Sequence, residues 1–169
     1  HAVDYLIDLG HNSIGFVSGL MDSDVCRDRL LGYKTALSRA NIKETKTFNF
    51  KGDYSFESGE KAGMYFLSMP NPPSAIVCAN DMMAICLMKV LQENGIKIPE
   101  QISVIGFDDI LLASKVYPTL TTNAAPIAEM ARKAVEILIA GLKGLNIDYR
   151  HEILRAHLIT RDSCRKHKN

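Results

Sequence analysis

No stretch of the 169-residue chain approaches the ~18 consecutive apolar residues needed to cross a bilayer, because Asp, Lys or Pro interrupts every candidate. A basic n-region leading into an apolar h-region is also missing at the start. These two absences predict a soluble cytoplasmic protein without membrane contact. Charge of one sign is scarce too: 20 Lys and Arg stand against 19 Asp and Glu, for a formal net charge of +1. That balance supplies no electrostatic footprint for nucleic acid, so any DNA contact has to come from another part of a longer protein. Cysteine is limited to Cys26, Cys78, Cys86 and Cys164, with no Cys-x-x-Cys pair and no His at metal-ligand spacing. Neither a metal site nor a cofactor is expected. The cysteines read as reduced thiols in an intracellular compartment, although spacing alone leaves a disulfide pair open. Gly-x-Gly-x-x-Gly and Walker sequences are absent, which disfavours a nucleotide-binding enzyme. His11 has no nucleophile at a meaningful spacing and reads as a loop or capping histidine.

What is present is ordinary globular composition, 47% hydrophobic and 23% charged, enough for one domain with a core. The first residues read as the end of a helix stopped by Gly10. Ile14 to Gly19, Thr45 to Phe50, Ser74 to Ala79 and Ile102 to Phe107 read as strands. Helices are expected over Asp24 to Ala40, from an N-cap at Ser55 to about Met69, and over Asp81 to Asn94. Nearly uniform apolar strands alternating with helices predict an α/β fold, a parallel sheet with helices on both faces. Leu120 to Thr122 is a further extended piece. Pro126 fits the first position of a helix running to Leu142, and Tyr149 to Ile153 and His157 to Thr160 are short closing strands. Arg165-Lys-His-Lys168 reads as a solvated tail, with phosphate binding a distant second.

In an open parallel sheet the ligand sits beyond the carboxyl ends of the strands, where strand order reverses. Two strands stop there at Asn80-Asp81 and at Asp108-Asp109. The adjacent carboxylates do not suggest catalysis or a metal, since neighbouring residues at a strand end point to opposite sides and no third oxygen-rich segment accompanies them. The helix after Asn80 has two apolar stripes, Ala84, Met88 and Leu91 beside Met83, Leu87 and Val90. One stripe faces the sheet. The second predicts a partner subunit, a homodimer contact at Met83, Leu87 and Val90, or else a helix sandwiched within its own domain.

The ordered set Gly10-His-Asn-Ser-Ile-Gly-Phe-Val-Ser-Gly19, Arg29-Leu-Leu-Gly-Tyr33, Gly52-Asp-Tyr-Ser-Phe-Glu-Ser-Gly59, Ala79-Asn-Asp-Met-Met-Ala84, Ile98 to Ile110, Pro118-Thr-Leu-Thr-Thr122 and Leu158-Ile-Thr-Arg-Asp-Ser163 resembles the effector-binding half of the LacI family of transcription regulators. The resemblance covers nearly the whole chain. It implies a periplasmic-binding-protein-like, Rossmann-like lobe of type I over residues 1–120. A crossover and a helix lent to a mostly absent second lobe then cover 121–148, return strands 149–163 and a basic tail 164–169. It also implies an upstream helix-turn-helix headpiece outside this chain, so operator DNA is a partner only through that missing part. Cys86 departs from the small residue usual at its place.

Carried over by motif, Arg29, Tyr54, Asn80 and Asp108 are effector-binding residues. Arg29 would grip a carboxylate, a diol or a ring oxygen in a fork that Lys cannot copy. Tyr54 would stack on a sugar or base, and Asn80 and Asp108 would bond hydroxyls. Bonds to charged groups contribute about 1.5–3 kcal/mol against roughly 1 for neutral pairs, so Arg29 and Asp108 should dominate affinity. Asp81 is expected to cap its helix, and Asp109, with Thr121 and Thr122, to hold the hinge. The expected effector is a sugar, sugar phosphate or nucleobase, and the expected function is repression or activation of transcription without catalysis. A sugar-binding protein of a membrane transporter shares the fold and stays open as the alternative.

Overall fold

The computed structural model describes residues 1–144 and 153–167. Its elements are α1 (Ala2–Asp8), β1 (Ile14–Ser18), α2 (Asp24–Arg39), β2 (Asn49–Lys51), α3 (Phe56–Leu67), β3 (Ala75–Cys78), α4 (Asp81–Glu93), β4 (Ser103–Phe107), β5 (Thr121–Ala124), α5 (Ile127–Leu142) and β6 (His157–Ile159). The strands form one sheet in the order β2-β1-β3-β4-β5-β6. Pairings from β2 through β5 are parallel, and β6 closes the edge antiparallel to β5. β1, β3 and most of β4 are buried, as their continuous apolar runs predict for a sheet covered on both faces. Phe16 stacks on Tyr33 of α2, while a Cβ at neighbouring Gly15 would meet Phe66 of α3, so successive β1 residues face different helical layers.

Ser55 caps α3 as expected, its hydroxyl accepting from the Ser58 amide at 3.1 Å. The strand expected from Thr45 instead begins as a 3-10 turn over Lys46–Phe48, leaving only Asn49–Lys51 as strand. β2 is the sheet edge, where only β1 rewards extended backbone. Pro126 stands one residue outside α5, at its N-cap position. Of the strand expected over 149–153, residues 149–152 lie outside the described residues, and Ile153 belongs to no strand.

The second stripe of α4 is covered within the chain. Gly59 and Gly63 of α3 lie against α4, where a Cβ on Gly59 would stand 2.6 Å from the Met83 carbonyl oxygen and one on Gly63 2.8 Å from Val90 Cβ. Met83 and Leu87 are thereby fully buried and Val90 is 8% exposed. The expected dimer contact at Met83, Leu87 and Val90 is therefore corrected, because these three residues fill the α3–α4 seam. α5 is the opposite case. None of its residues is buried, and Ile127, Met130, Leu138 and Leu142 are exposed.

Candidate ligand-binding site

β1 lies between β2 and β3, so the strand order reverses there and loops leaving the carboxyl ends diverge to leave a crevice. α2 carries Arg29 into that crevice. Its Nη1 donates to the Ala79 carbonyl at the end of β3, its guanidinium carbon lies 3.7 Å above the Phe107 ring centroid, and its Nη2 is 3.7 Å from Asp108 Oδ1. The ring and the carbonyl fix the guanidinium plane. The carboxylate is too far for a direct hydrogen bond, so both charged groups keep capacity for a third. Arg29 is 20% exposed and Asp108 37%, enough for a ligand to reach them. Burial pushes the Asp108 carboxyl above its ordinary range, and Arg29 opposes that rise.

Asp108 holds φ at 111° and Asp109 at 55°, backbone that side chains rarely adopt. Surrounding bonds impose this turn. The Asp108 amide donates to the Asn123 carbonyl at 2.9 Å, Asp109 Oδ1 accepts from Arg161 Nη2 at 2.6 Å, and Arg161 Nη1 donates to the Leu120 carbonyl at 2.7 Å. Thr121 Oγ1 accepts from the Arg161 amide at 2.9 Å, and its own amide donates to Ser163 Oγ. Asp109, Thr121 and Thr122 thus stand where the chain leaves for α5. Arg161 is the residue that reading the sequence missed. Its signal was its place in the Leu158 to Ser163 motif, for which no role was assigned.

The capping expected of Asp81 falls to Asn80, and Asp81 is a buried tie instead. Asn80 is the N-cap of α4: its Oδ1 accepts from the Met83 amide at 3.0 Å, while Nδ2 donates to the Tyr54 carbonyl at 3.0 Å. At 7% exposure, it has one amide hydrogen left for a ligand. Asp81 is the first residue of α4, wholly buried, with Oδ1 accepting from Thr122 Oγ1 at 2.6 Å and Oδ2 from the Ile110 amide at 2.9 Å. It ties α4 to the loop after β4 and to β5. Tyr54, at φ 71°, lays its ring over Gly19, where a Cβ would stand 2.0 Å from its Cζ. Burial, then a hydrogen bond with the Cys26 thiol, raises the Tyr54 hydroxyl. A cavity of about 140 Å³ continues from Arg29 beneath the site, lined among others by Phe16, Tyr33, Ala79, Phe107 and Asn123.

Burial is the main cause that lifts the Asp81 carboxyl from 3.8 to about 6; the bonds from Thr122 and Ile110 oppose it, and Asp108 and Asp109 add to it. The folded state then holds a proton that the unfolded chain has released. Stability from this group is fully present below about pH 4 and is lost as pH rises through about 6, on the order of 3 kcal/mol in all. Urea unfolding across that range should show the loss in the wild type and its absence in Asp81→Asn. Identical pH profiles would exclude Asp81 as its source.

The family model for a periplasmic binding protein-like domain matches residues 3–164. The HTH-type transcriptional repressor CytR of Escherichia coli K12 is 37% identical over 164 residues, 97% of this chain and 48% of that protein. The HTH-type transcriptional repressor PurR of Aliivibrio salmonicida is 36% identical over 165 residues, 98% of this chain and 50% of that protein. The solved structure of a LacI-family regulatory protein from Chloroflexus aggregans superposes with a TM-score of 0.91 at 35% identity, covering 98% of this chain and 60% of that one. The chain spans about half the length of the curated relatives it matches. On its fold, its motifs and these likenesses together, the chain belongs to the LacI family of transcription regulators.

Proposed function

We propose that the chain forms one wall of a cleft for a small metabolite, a sugar, sugar phosphate or nucleobase, within a longer regulator whose upstream helix-turn-helix binds operator DNA. The observation that carries this reading is the Arg29–Asp108 pair at 3.7 Å over Phe107. One hydroxyl oxygen can donate to that carboxylate and accept from that guanidinium, while Tyr54 closes the rim. Arg29, Tyr54, Asp108 and the remaining hydrogen of Asn80 are the effector contacts. The chain binds and senses rather than catalyses, and it works in the cytoplasm where operators are.

Residues 1–120 make one lobe, and 121–148 carry α5 to the other lobe, which covers the apolar residues left exposed here. Lobe closure is coupled to DNA affinity through the hinge at Asp109, Thr121 and Thr122; a coupling of about 1–3 kcal/mol changes that affinity roughly 5- to 150-fold. The protein is a homodimer through the outer faces of α3 and α4. Phe56 and Met64 are 45% and 57% exposed on α3, and Ile85 and Tyr117 line an open apolar groove beside α4.

A thermal-shift screen of the intact protein against the three ligand classes tests this. A ligand at about a hundred times its Kd stabilises by about 2.7 kcal/mol, a readily measured shift. At least one saturable binder is expected, with a dimer in sedimentation velocity at micromolar protein. No binder in any class would defeat the sensing role, and a monomer would defeat the dimer.

A further inference from the structure

A second cluster lies at the amino ends of the strands, away from the Arg29 site. Arg165 to His167 are folded against the protein there rather than trailing as a solvated tail. The Arg165 amide donates to Ser103 Oγ at 3.3 Å, and the His167 amide donates to the Leu9 carbonyl at 2.8 Å. The His167 ring stacks on that of His11, with centroids 5.0 Å apart and planes at 27°. Together with Glu100 and Gln101, these residues and Lys166 line a cavity of about 90 Å³.

His11 is 3% exposed, and both ring nitrogens are engaged, Nδ1 with Ser74 Oγ at 2.9 Å and Nε2 with the Arg165 carbonyl at 3.2 Å. A carbonyl only accepts, so Nε2 carries a hydrogen. In the neutral ring Nδ1 accepts from the Ser74 hydroxyl. In the charged ring Nδ1 donates to Ser74, whose own hydrogen turns to the Ser13 carbonyl at 3.1 Å. The site therefore accepts a second proton on His11 without losing a hydrogen bond.

Among the described residues, the charges around the cavity do not balance. Arg165 and Lys166 are cations, and the His11 and His167 rings lie beside them. The carboxylate lining it among the described residues is Glu100, 51% exposed and 4.0 Å from Arg165. Lys166 has no ion-pair partner among the described residues. Stacked imidazoles repel each other when charged unless a counterion lies beside them. Burial holds His11 below its ordinary range, the bond to the Arg165 carbonyl opposes it, and His167 adds a smaller lowering.

We infer that this cavity is a binding site for a small oxyanion, a phosphate or the phosphoryl group of a metabolite, held by Arg165, Lys166 and His167 with His11 behind them. Such an ion supplies a counter-charge to these cations and joins Arg165 and His167 to the turn at Gly10. The site is independent of the effector cleft and does not rest on the function proposed for it.

The test is histidine-resolved NMR of the intact protein, titrated with inorganic phosphate or ribose 5-phosphate at constant ionic strength set by chloride. Saturable movement of the His11 and His167 ring signals is expected, with the His11 titration moving to higher pH. Lys166→Ala should weaken phosphate about tenfold, and Glu100→Gln should tighten it several-fold by removing the opposing charge. The Glu100 variant keeps the test decisive if Lys166→Ala folds poorly. Equal affinity for the two ligands assigns the site to phosphate itself, and tighter ribose 5-phosphate assigns it to a phosphorylated metabolite. Ring signals that move without saturation, or saturation that neither variant alters, would overturn the site.

Discussion

Replacing Arg29 with alanine in the intact protein should weaken effector binding about a hundredfold, because removing one side of a desolvated, hydrogen-bonded charge contact costs about 2–5 kcal/mol. The size of the effect follows from what surrounds the guanidinium. Phe107 and the Ala79 carbonyl hold it in one plane, so its fork is aimed before a ligand arrives and little ordering entropy is lost on binding. Without it, Asp108 loses the cation that opposes its burial, and its carboxyl rises further. The ligand then forfeits a charged donor and meets a poorer acceptor. Arg29→Lys should also lose at least about tenfold, since an ammonium matches neither the ring face nor the fork. Calorimetric titration of both variants with the best ligand of the screen checks this. Near-normal binding by the lysine variant would mean that charge alone, not the fork, recognises the ligand.

Gly106→Ala should be strongly destabilising. A Cβ at this position would stand 2.1 Å from Asp81 Oδ1, 2.9 Å from Leu120 Cδ2 and 3.2 Å from Asp81 Cα. The carboxylate is wholly buried and bound to Thr122 and Ile110, so it can move only by breaking the ties between α4, β5 and the loop after β4. Overpacking of this kind costs about 3 kcal/mol, equivalent to a fall of about 6–12 °C in Tm for a chain of this size. Adding Asp81→Ala should restore part of the loss, because the two changes share one contact. Thermal and urea melts of the single and double variants measure the coupling, and strict additivity would refute the clash.

The sequence made the layered parallel sheet readable because each strand is a short apolar run with a helix after it. Periodicity could not say what covers the Met83, Leu87 and Val90 stripe. The answer lay on α3, where Gly59 and Gly63 admit another helix, and a glycine carries no apolar signal of its own. Asn80 and Asp81 both cap helices well, so local preference could not decide which does so. The decision came from β5, whose Thr122 claims Asp81 from 41 residues away. The Asp108 backbone was invisible for a similar reason. Its φ is imposed by Asn123 and by the Asp109–Arg161 pair, which spans 52 residues. Arg29 and Asp108 were legible because the motif carried them, whereas Phe107 beneath Arg29 looked like one more strand residue.

The pairing of β5 with β6 sets Ala124 beside His157, with Asn123 and Thr122 continuing the register against Leu158 and Ile159. The polypeptide thus leaves the sheet and re-enters it through one doorway. Topologically, everything between those two neighbours is a detachable excursion, and a tight turn joining them would still leave the six-stranded sheet intact. Chain lengths and sequences can therefore diverge within that excursion without disturbing how Arg29 and Asp108 are held, which separates the inheritance of the binding wall from that of whatever α5 is built to meet.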